Sequence, residues 1–164
     1  MSLYIGIDPG FRGAFAVLGP EGDDVRQLVS TPVTNSKPPE YLEGAMADLV
    51  ILADPEIAIA AVERAQAMPR QGVRSMFSIG LGYGLWRGVL AAHGVRCELL
   101  RPQDWRKAVG LPTGADKGAS VALASRLFPS VAAWLRGPRG GLNDGMAEAL
   151  LIADALRRRT EAGQ

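Results

Sequence analysis

The stretch Leu3-Tyr4-Ile5-Gly6-Ile7-Asp8-Pro9-Gly10 decides the fold: a β-prone apolar run is halted by an acid and a Pro-Gly turn, then resumes as Gly13-Ala14-Phe15-Ala16-Val17-Leu18. The second run ends at Gly19-Pro20-Glu21-Gly22. Two such runs joined by a tight glycine-containing turn predict a β-hairpin. Working outward, Val25 to Ser30 reads as a third, more polar strand. Pro32, Pro38 and Pro39 then mark a loop into a helix from about Glu40 to Ala53 with an apolar stripe. Ile57-Ala58-Ile59-Ala60-Ala61-Val62 has no polar alternation, as expected of a strand covered on both faces, and it stops on Glu63. After a loop over residues 64–72, Val73 to His93 forms a long, mostly apolar helix stopped by Gly94. Val95 to Leu100 is a fifth strand. Helices follow at Gln103 to Val109 and Lys117 to Leu127, then a loop at Gly137 to Gly141, and a closing helix from about Asn143 to Arg159.

A chain of 164 residues, 48% hydrophobic and 21% charged, suits one domain spanning residues 1–164 with a substantial core. It has no repeat, low-complexity tract or apolar run long enough for a membrane span. Cys97 is the one cysteine and His93 the one histidine, which excludes an intrachain disulfide and a zinc site built from several such ligands. With no basic leader and apolar segment at Met1 to Ile5, the expected location is a reducing cytoplasm, of a bacterial cell or a phage-infected host. The net charge of +1 conceals an uneven distribution. Residues 1–62 carry −6, residues 63–139 carry +8 and residues 140–164 carry −1, so the middle of the chain offers a positive face to a polyanion.

Four acids stand where the fold alone would not require them. Asp8 ends the first strand, Glu63 ends the covered strand, and Asp144 and Glu148 open the last helix. If the two strands are parallel neighbours, as a helical crossover allows, Asp8 and Glu63 emerge at one carboxyl edge. Asp144 and Glu148 are four apart, about 5–6 Å between Cβ atoms on one helix face, where like charges repel unless a cation separates them. Each has a bland explanation: a turn for Asp8, an arginine partner for Glu63, a helix start for Asp144 and Glu148. Taken together, four converging carboxylates without histidine or cysteine make a hard-oxygen site suited to Mg²⁺ or Mn²⁺. Two such ions would activate water and stabilise the leaving oxygen of a phosphodiester.

Ile5-Gly6-Ile7-Asp8-Pro9-Gly10, Val62-Glu63 and Asn143-Asp144-Gly145-Met146-Ala147-Glu148-Ala149-Leu150-Leu151-Ile152-Ala153 together resemble the three acidic motifs of RuvC-like Holliday-junction resolvases, within the RNase H-like superfamily. Pro102-Gln103-Asp104-Trp105 brings the resemblance closest to the phage and organellar branch. The resemblance implies an α/β fold: a five-stranded mixed sheet, its first three strands antiparallel and the rest parallel and joined by helices, flanked by helices. It implies a homodimer that binds a four-way DNA junction and makes paired symmetric nicks by metal-dependent hydrolysis. Two Mg²⁺ ions per site are implied, Mn²⁺ substituting, with Asp8 bridging both, Glu63 holding one and Asp144 with Glu148 holding the other. Glu148 departs from the Asp common in the family, and Asn143 stands where many relatives have a basic residue.

For DNA contacts the candidates are Arg64, Arg70 and Arg74 around the loop beside Glu63, and Arg106, Lys107 and Lys117 after the fifth strand. Met68 and Arg70 are the candidates for the loop position that some relatives place at the junction centre. Arg157-Arg158-Arg159 is expected to complement its helix C-terminus instead. Gly80, Gly84 and Gly88 recur every fourth residue in the long helix, each costing about 1 kcal/mol relative to alanine. With Phe77, Leu81, Leu85, Trp86, Val89 and Leu90 around them, they predict a helix face that packs on its twin, against the alternative of a crossing within one subunit. The rival readings are another RNase H-like nuclease acting on branched DNA or RNA–DNA hybrids, an inert junction-binding module, and a sugar-kinase or chaperone-type ATPase. The last needs a duplicated domain that this length does not supply.

Overall fold

In the computed structural model, which describes residues 2–66, 70–112, 114–137 and 139–163, the strands are β1 (Leu3–Asp8), β2 (Ala14–Leu18), β3 (Val25–Ser30), β4 (Ala58–Glu63) and β5 (Arg96–Leu100). They form one sheet in the order β3-β2-β1-β4-β5. The first three are antiparallel neighbours, while β4 runs parallel to β1 and β5 parallel to β4. The expected mixed sheet is what forms. The helices are α1 (Glu43–Leu52), α2 (Val73–Ala92), α3 (Pro102–Val109), α4 (Lys117–Leu127) and α5 (Asp144–Ala162), with a 3-10 segment at Pro129–Leu135.

Alternation along the strands sorts the core into two faces. Tyr4, Ala14, Ala16, Leu18 and Ala61 face a cluster built with α3, α4 and α5, including Trp105, Phe128 and Leu150. Ile5, Ile7, Phe15, Val17 and Val62 face the other way, onto Met46 and Val50 of α1 and Trp86 and Leu90 of α2. Trp86 and Leu90 are therefore core residues and do not belong to the outward glycine face with which the sequence grouped them. Phe15 and Trp86 stack with ring centroids 5.4 Å apart.

Small residues let α5 lie close along the sheet. A Cβ on Gly6 would come within 2.1 Å of the Ala149 carbonyl oxygen and 2.4 Å of the Ala153 nitrogen, and one on Gly145 would come within 2.1 Å of the Arg12 carbonyl oxygen. These contacts fix where the N-terminal end of α5 arrives relative to the end of β1. At its far end α5 is pinned by a buried pair: Arg157 Nη2 donates to Asp154 Oδ1 at 2.6 Å, and Nη1 donates to the carbonyls of Gly22 (3.0 Å) and Gly19 (3.4 Å). Arg158 Nε donates to the other Asp154 oxygen at 2.8 Å. The expectation that Arg157 and Arg158 serve the helix C-terminus is corrected here. The helix continues to Ala162, and these guanidiniums satisfy a buried carboxylate and the loop after β2.

The first helix starts three residues later than the sequence suggested, because Tyr41 is held in a bridge with Val33 and the Leu42 nitrogen donates to the Pro32 carbonyl. Tyr41 also reaches across to α2, donating to the Ser78 carbonyl at 2.8 Å over Gly82, whose missing Cβ leaves room for the phenol. Among the described residues no helix is long and apolar enough to cross a membrane.

Because the groups facing Gly6 are backbone atoms that cannot swing aside, Gly6→Ala is expected to cost about 3 kcal/mol or to prevent folding. Urea unfolding followed by circular dichroism measures it. A loss under 1 kcal/mol would show that α5 is not held at this distance.

Candidate active site

Asp8 and Glu63 are placed by the sheet itself. The parallel register pairs Ile7 with Val62, so the next residues of β1 and β4 leave the same edge side by side. The turn that follows Asp8 is built for close approach: Gly10 has φ +125°, and a Cβ on Gly13 would strike the Asp8 carbonyl at 1.9 Å. Asp144 and Glu148 come from the first turns of α5, brought over the end of β1 by the Gly6 and Gly145 contacts. Three of the acids, Asp8, Asp144 and Glu148, line one cleft of about 620 Å³ with Arg12, Arg106 and Lys117.

The electrostatics of this cluster are unfavourable until something cationic answers them. Burial pushes Asp8 well above the ordinary carboxylate range, and the charges of Glu63, Glu148 and Asp144 add to the rise. Glu63 and Glu148 are also raised, burial being the larger cause in each. For Glu63, the Trp105 hydrogen bond and the Arg106 charge pull the other way. For Glu148, the Glu63 charge adds to the rise and Arg106 opposes it.

Helix α3 supplies two of the answering groups from adjacent residues. Trp105, fully buried, donates its Nε1–H to Glu63 Oε2 at 2.6 Å. Arg106 donates Nη2–H to Glu148 Oε1 at 3.1 Å and Nη1–H to the Ala115 carbonyl at 3.1 Å, with its guanidinium 5.2 Å from the centre of the Trp105 ring. Its Nε is buried without an acceptor among the described residues. Lys117, at the start of α4, brings Nζ to Asp144 Oδ2 at 2.5 Å, and this carboxylate lifts the amine above its ordinary value.

The sequence-derived quartet of Asp8, Glu63, Asp144 and Glu148 is thus brought to one region. Arg106 and Lys117, expected to lie against phosphates, sit on two of those acids. Arg64, Arg70, Arg74 and Lys107 are exposed. Met68 lies outside the described residues. Phe77, Gly80, Gly84 and Gly88 lie on the outward face of α2, with Phe77 71% exposed and nothing within 4 Å of a Cβ built on any of the three glycines. The roles of Trp105 and Arg12 went unread in the sequence. For Trp105 the signal was its place three residues after Pro102 at a helix start; for Arg12, a cation in the turn directly after Asp8-Pro9-Gly10.

No family model matches the chain. Over 92 residues, 56% of this chain, it is 34% identical to the protein named "Holliday junction resolvase MOC1, chloroplastic" from Chlamydomonas reinhardtii, and the match spans 10% of that protein's length. Among solved structures it is similar to T. thermophilus RuvC in complex with Holliday junction substrate, with a TM-score of 0.70 and 17% identity over 99% of this chain and 97% of that one. A second Thermus thermophilus RuvC structure gives a TM-score of 0.66 and 18% identity, covering 98% and 96% of the two chains. The fold is that of RuvC. The RNase H-like architecture expected from the acidic motifs therefore holds over nearly the whole chain, and both RuvC structures match it end to end where the chloroplast protein matches it over part.

As donors the carboxylates fit divalent cations of the Mg²⁺ class: all are hard oxygens, burial raises the proton affinity of Asp8, Glu63 and Glu148, and neighbouring acids add to the rise at Asp8 and Glu148. Among the described residues no three acidic, histidine or cysteine side chains are grouped closely enough to hold a metal ion as they stand, Glu148 being paired with Arg106 and Asp144 with Lys117.

A carboxylate raised in the folded state stabilises the fold fully below its unfolded value, near pH 4, and loses that contribution as pH rises through the folded value. Asp8→Asn is therefore expected to raise the melting temperature of the metal-free protein at pH 8, by about 3–6 °C for about 1–2 kcal/mol. The gain should shrink toward pH 4. Scanning calorimetry across that range checks it, and an Asp8→Asn protein less stable than wild type at pH 8 would contradict the electrostatic reading.

Proposed function

We propose that this chain is a structure-selective endonuclease that resolves four-way DNA junctions by paired, symmetrically placed nicks. The observation that carries the reading is the convergence of Asp8, Glu63, Asp144 and Glu148 at one end of a RuvC fold, beside a cleft that also holds Arg12, Arg106 and Lys117. A binding module would gain nothing from a carboxylate cluster beside phosphates, since each acid there repels the ligand. The chloroplast protein, a Holliday junction resolvase by name, and RuvC in complex with Holliday junction substrate point to the same substrate.

In this reading Asp8, Glu63, Asp144 and Glu148 hold two divalent ions, Mg²⁺ with Mn²⁺ as a substitute, which when bound neutralise the phosphate and acidify the attacking water. The rest is done by the chain. Trp105 holds the Glu63 carboxylate in one orientation, so that the edge of β4 presents its acid without a search through rotamers. Arg106 and Lys117 balance the charges of Glu148 and Asp144 while the acids are otherwise uncompensated. Arg12, which also lines the cleft, is an exposed cation for a non-bridging phosphate oxygen. Hydrolysis adds the water oxygen to phosphorus and breaks one ester P–O bond, with the water's proton passing to solvent and the leaving oxygen taking one up. Arg64, Arg70, Arg74 and Lys107 extend the cationic surface for the arms of the junction.

Two nicks related by a two-fold axis call for a two-fold enzyme. The outward face of α2, with Val73, Phe77 and Leu81 exposed along a line of open glycines, is the surface we assign to a second copy of the chain. Smooth glycine positions let two helices approach closely while the larger side chains interlock.

Assay of four-way, three-way, hybrid and linear substrates with Mg²⁺ is expected to give paired cuts on opposite strands of the four-way junction. Asp8→Asn should lower cleavage by at least about 10³-fold while leaving junction binding within a few-fold. Cleavage confined to hybrids would replace the proposal with a hybrid nuclease; binding without cleavage of any substrate would leave a junction-binding module. Gly84→Trp is expected to yield monomers by light scattering, with junction affinity down about tenfold or more; an intact dimer would move the interface elsewhere.

A further inference from the structure

The stretch from Lys117 to Asn143 contains Lys117, Arg126, Arg136 and Arg139 and no acidic residue. Near its end the chain folds back on itself. Arg136 and Leu142 form an antiparallel bridge, the Gly137 nitrogen donates to the Gly141 carbonyl at 2.7 Å, and the Gly140 nitrogen donates to the Gly137 carbonyl at 2.9 Å, with Gly140 at φ +77°. This small hairpin is anchored to the active-site helix. Asn143 Nδ2–H donates to the Trp134 carbonyl at 2.6 Å, the Asn143 nitrogen donates to the Leu135 carbonyl at 3.0 Å, and Asn143 is the residue before Asp144. On the other side the Leu142 side chain lies against Gly118, next to Lys117, whose amine reaches Asp144.

On this hairpin's base the Trp134 side chain is 57% exposed, in contrast to Trp86 and Trp105, which are fully buried. Arg136 and Arg139 are exposed, and neither has a carboxylate partner among the described residues. Asp23, which reaches the 3-10 segment, is occupied by the nitrogen and hydroxyl of Ser130. An exposed indole costs hydration free energy, and two exposed guanidiniums without a carboxylate partner follow it within five residues. A ligand with a flat apolar face flanked by regularly spaced anions covers the indole and pairs with the guanidiniums.

We propose that Trp134, Arg136 and Arg139 form a nucleic-acid contact, seating a DNA strand that leaves the active-site cleft past Lys117. Phosphates lie on the two guanidiniums and a sugar or base face lies on the indole. The inference rests on the reading of the cleft as a DNA site and adds to it a contact that no acidic motif predicts. Because Asn143 ties the Trp134 backbone to the start of α5, strand position at the hairpin is coupled mechanically to the position of Asp144.

The test uses the full-length protein and a synthetic four-way junction, with tryptophan emission and acrylamide quenching as the readout. Since only Trp134 of the three indoles is exposed, the quenchable fraction belongs to it, and Trp134→Phe supplies the control. Wild type is expected to lose most of its quenchable emission on junction binding. The double variant R136A/R139A is expected to bind about tenfold more weakly at moderate salt, with the slope of log Kd against log salt reduced by about 2, at about 0.9 per phosphate contact. Its melting temperature should be unchanged. Junction binding that leaves Trp134 equally quenchable, with R136A/R139A within twofold of wild type, would overturn the hairpin contact while leaving the junction reading intact. Loss of quenchable emission with protein concentration alone would assign the surface to a second protein copy and overturn it as well. Failure of wild type to bind any junction would sink both.

Discussion

Four carboxylates gathered at one edge of a protein repel one another and resent their burial, and the arrangement around this cleft is a set of responses to that fact. Asp8, Glu63 and Glu148 are all driven toward the protonated form. The chain answers at three points: an indole N–H on Glu63, a guanidinium on Glu148 and an ammonium on Asp144. None of the three lies on Asp8, the acid with the strongest upward pressure among the causes described. Asp8, at the end of β1 where two strands and a helix meet, has only the Lys117 charge opposing its rise among the causes described.

The acids are held there by the approach of α5 to β1, which Gly6, Gly145, Ala149 and Ala153 make closer than ordinary helix-on-sheet packing allows. Fold and site are consequently the same constraint viewed at two scales. A larger residue at Gly6 would lift α5 from the sheet and carry Asp144 and Glu148 away from Asp8. The buried Asp154–Arg157 pair at the far end of the helix fixes its other degree of freedom, by tying α5 to the loop after β2. Removing one partner of such a pair leaves an uncompensated buried charge, so its value to the protein is positional more than energetic.

Most of this was legible in the sequence, for identifiable reasons. The hairpin from Leu3 to Leu18 and the run Ile57 to Val62 carry period and composition that few alternatives share, and strand ends marked by Asp8 and Glu63 predicted the shared edge. What escaped was anything decided by contact between distant segments. The start of α1 moved because Tyr41 is captured by Val33 and Ser78. Arg157 read as a helix-end charge because its partners, Gly19 and Gly22, lie far away in sequence. Trp86 and Leu90 looked like neighbours of the glycine face because helical periodicity gives angles but not which side meets the sheet. Trp105 stands in a motif and Arg106 in a basic stretch, yet their pairing with Glu63 and Glu148 depends on how α3 packs against β4 and α5, which no local pattern encodes.

A division of labour follows from where the two kinds of charge are mounted. The acids stand on two adjacent strands and on a helix of 19 residues packed across the sheet, elements whose displacement would open the core. Their cationic partners are long side chains on shorter helices, and the Lys117 side chain is 71% exposed. Losing an ion pair at an exposed ammonium costs little, because water solvates the freed charge at once. The acids are therefore rigid and the Lys117 ammonium exchangeable: it can leave Asp144 while the carboxylates stay where the backbone put them. Arg106 is more constrained, held by Glu148 and the Ala115 carbonyl with its Nε buried. Of the two cations, Lys117 is therefore the more exchangeable, and Arg106 the one fixed against the acids.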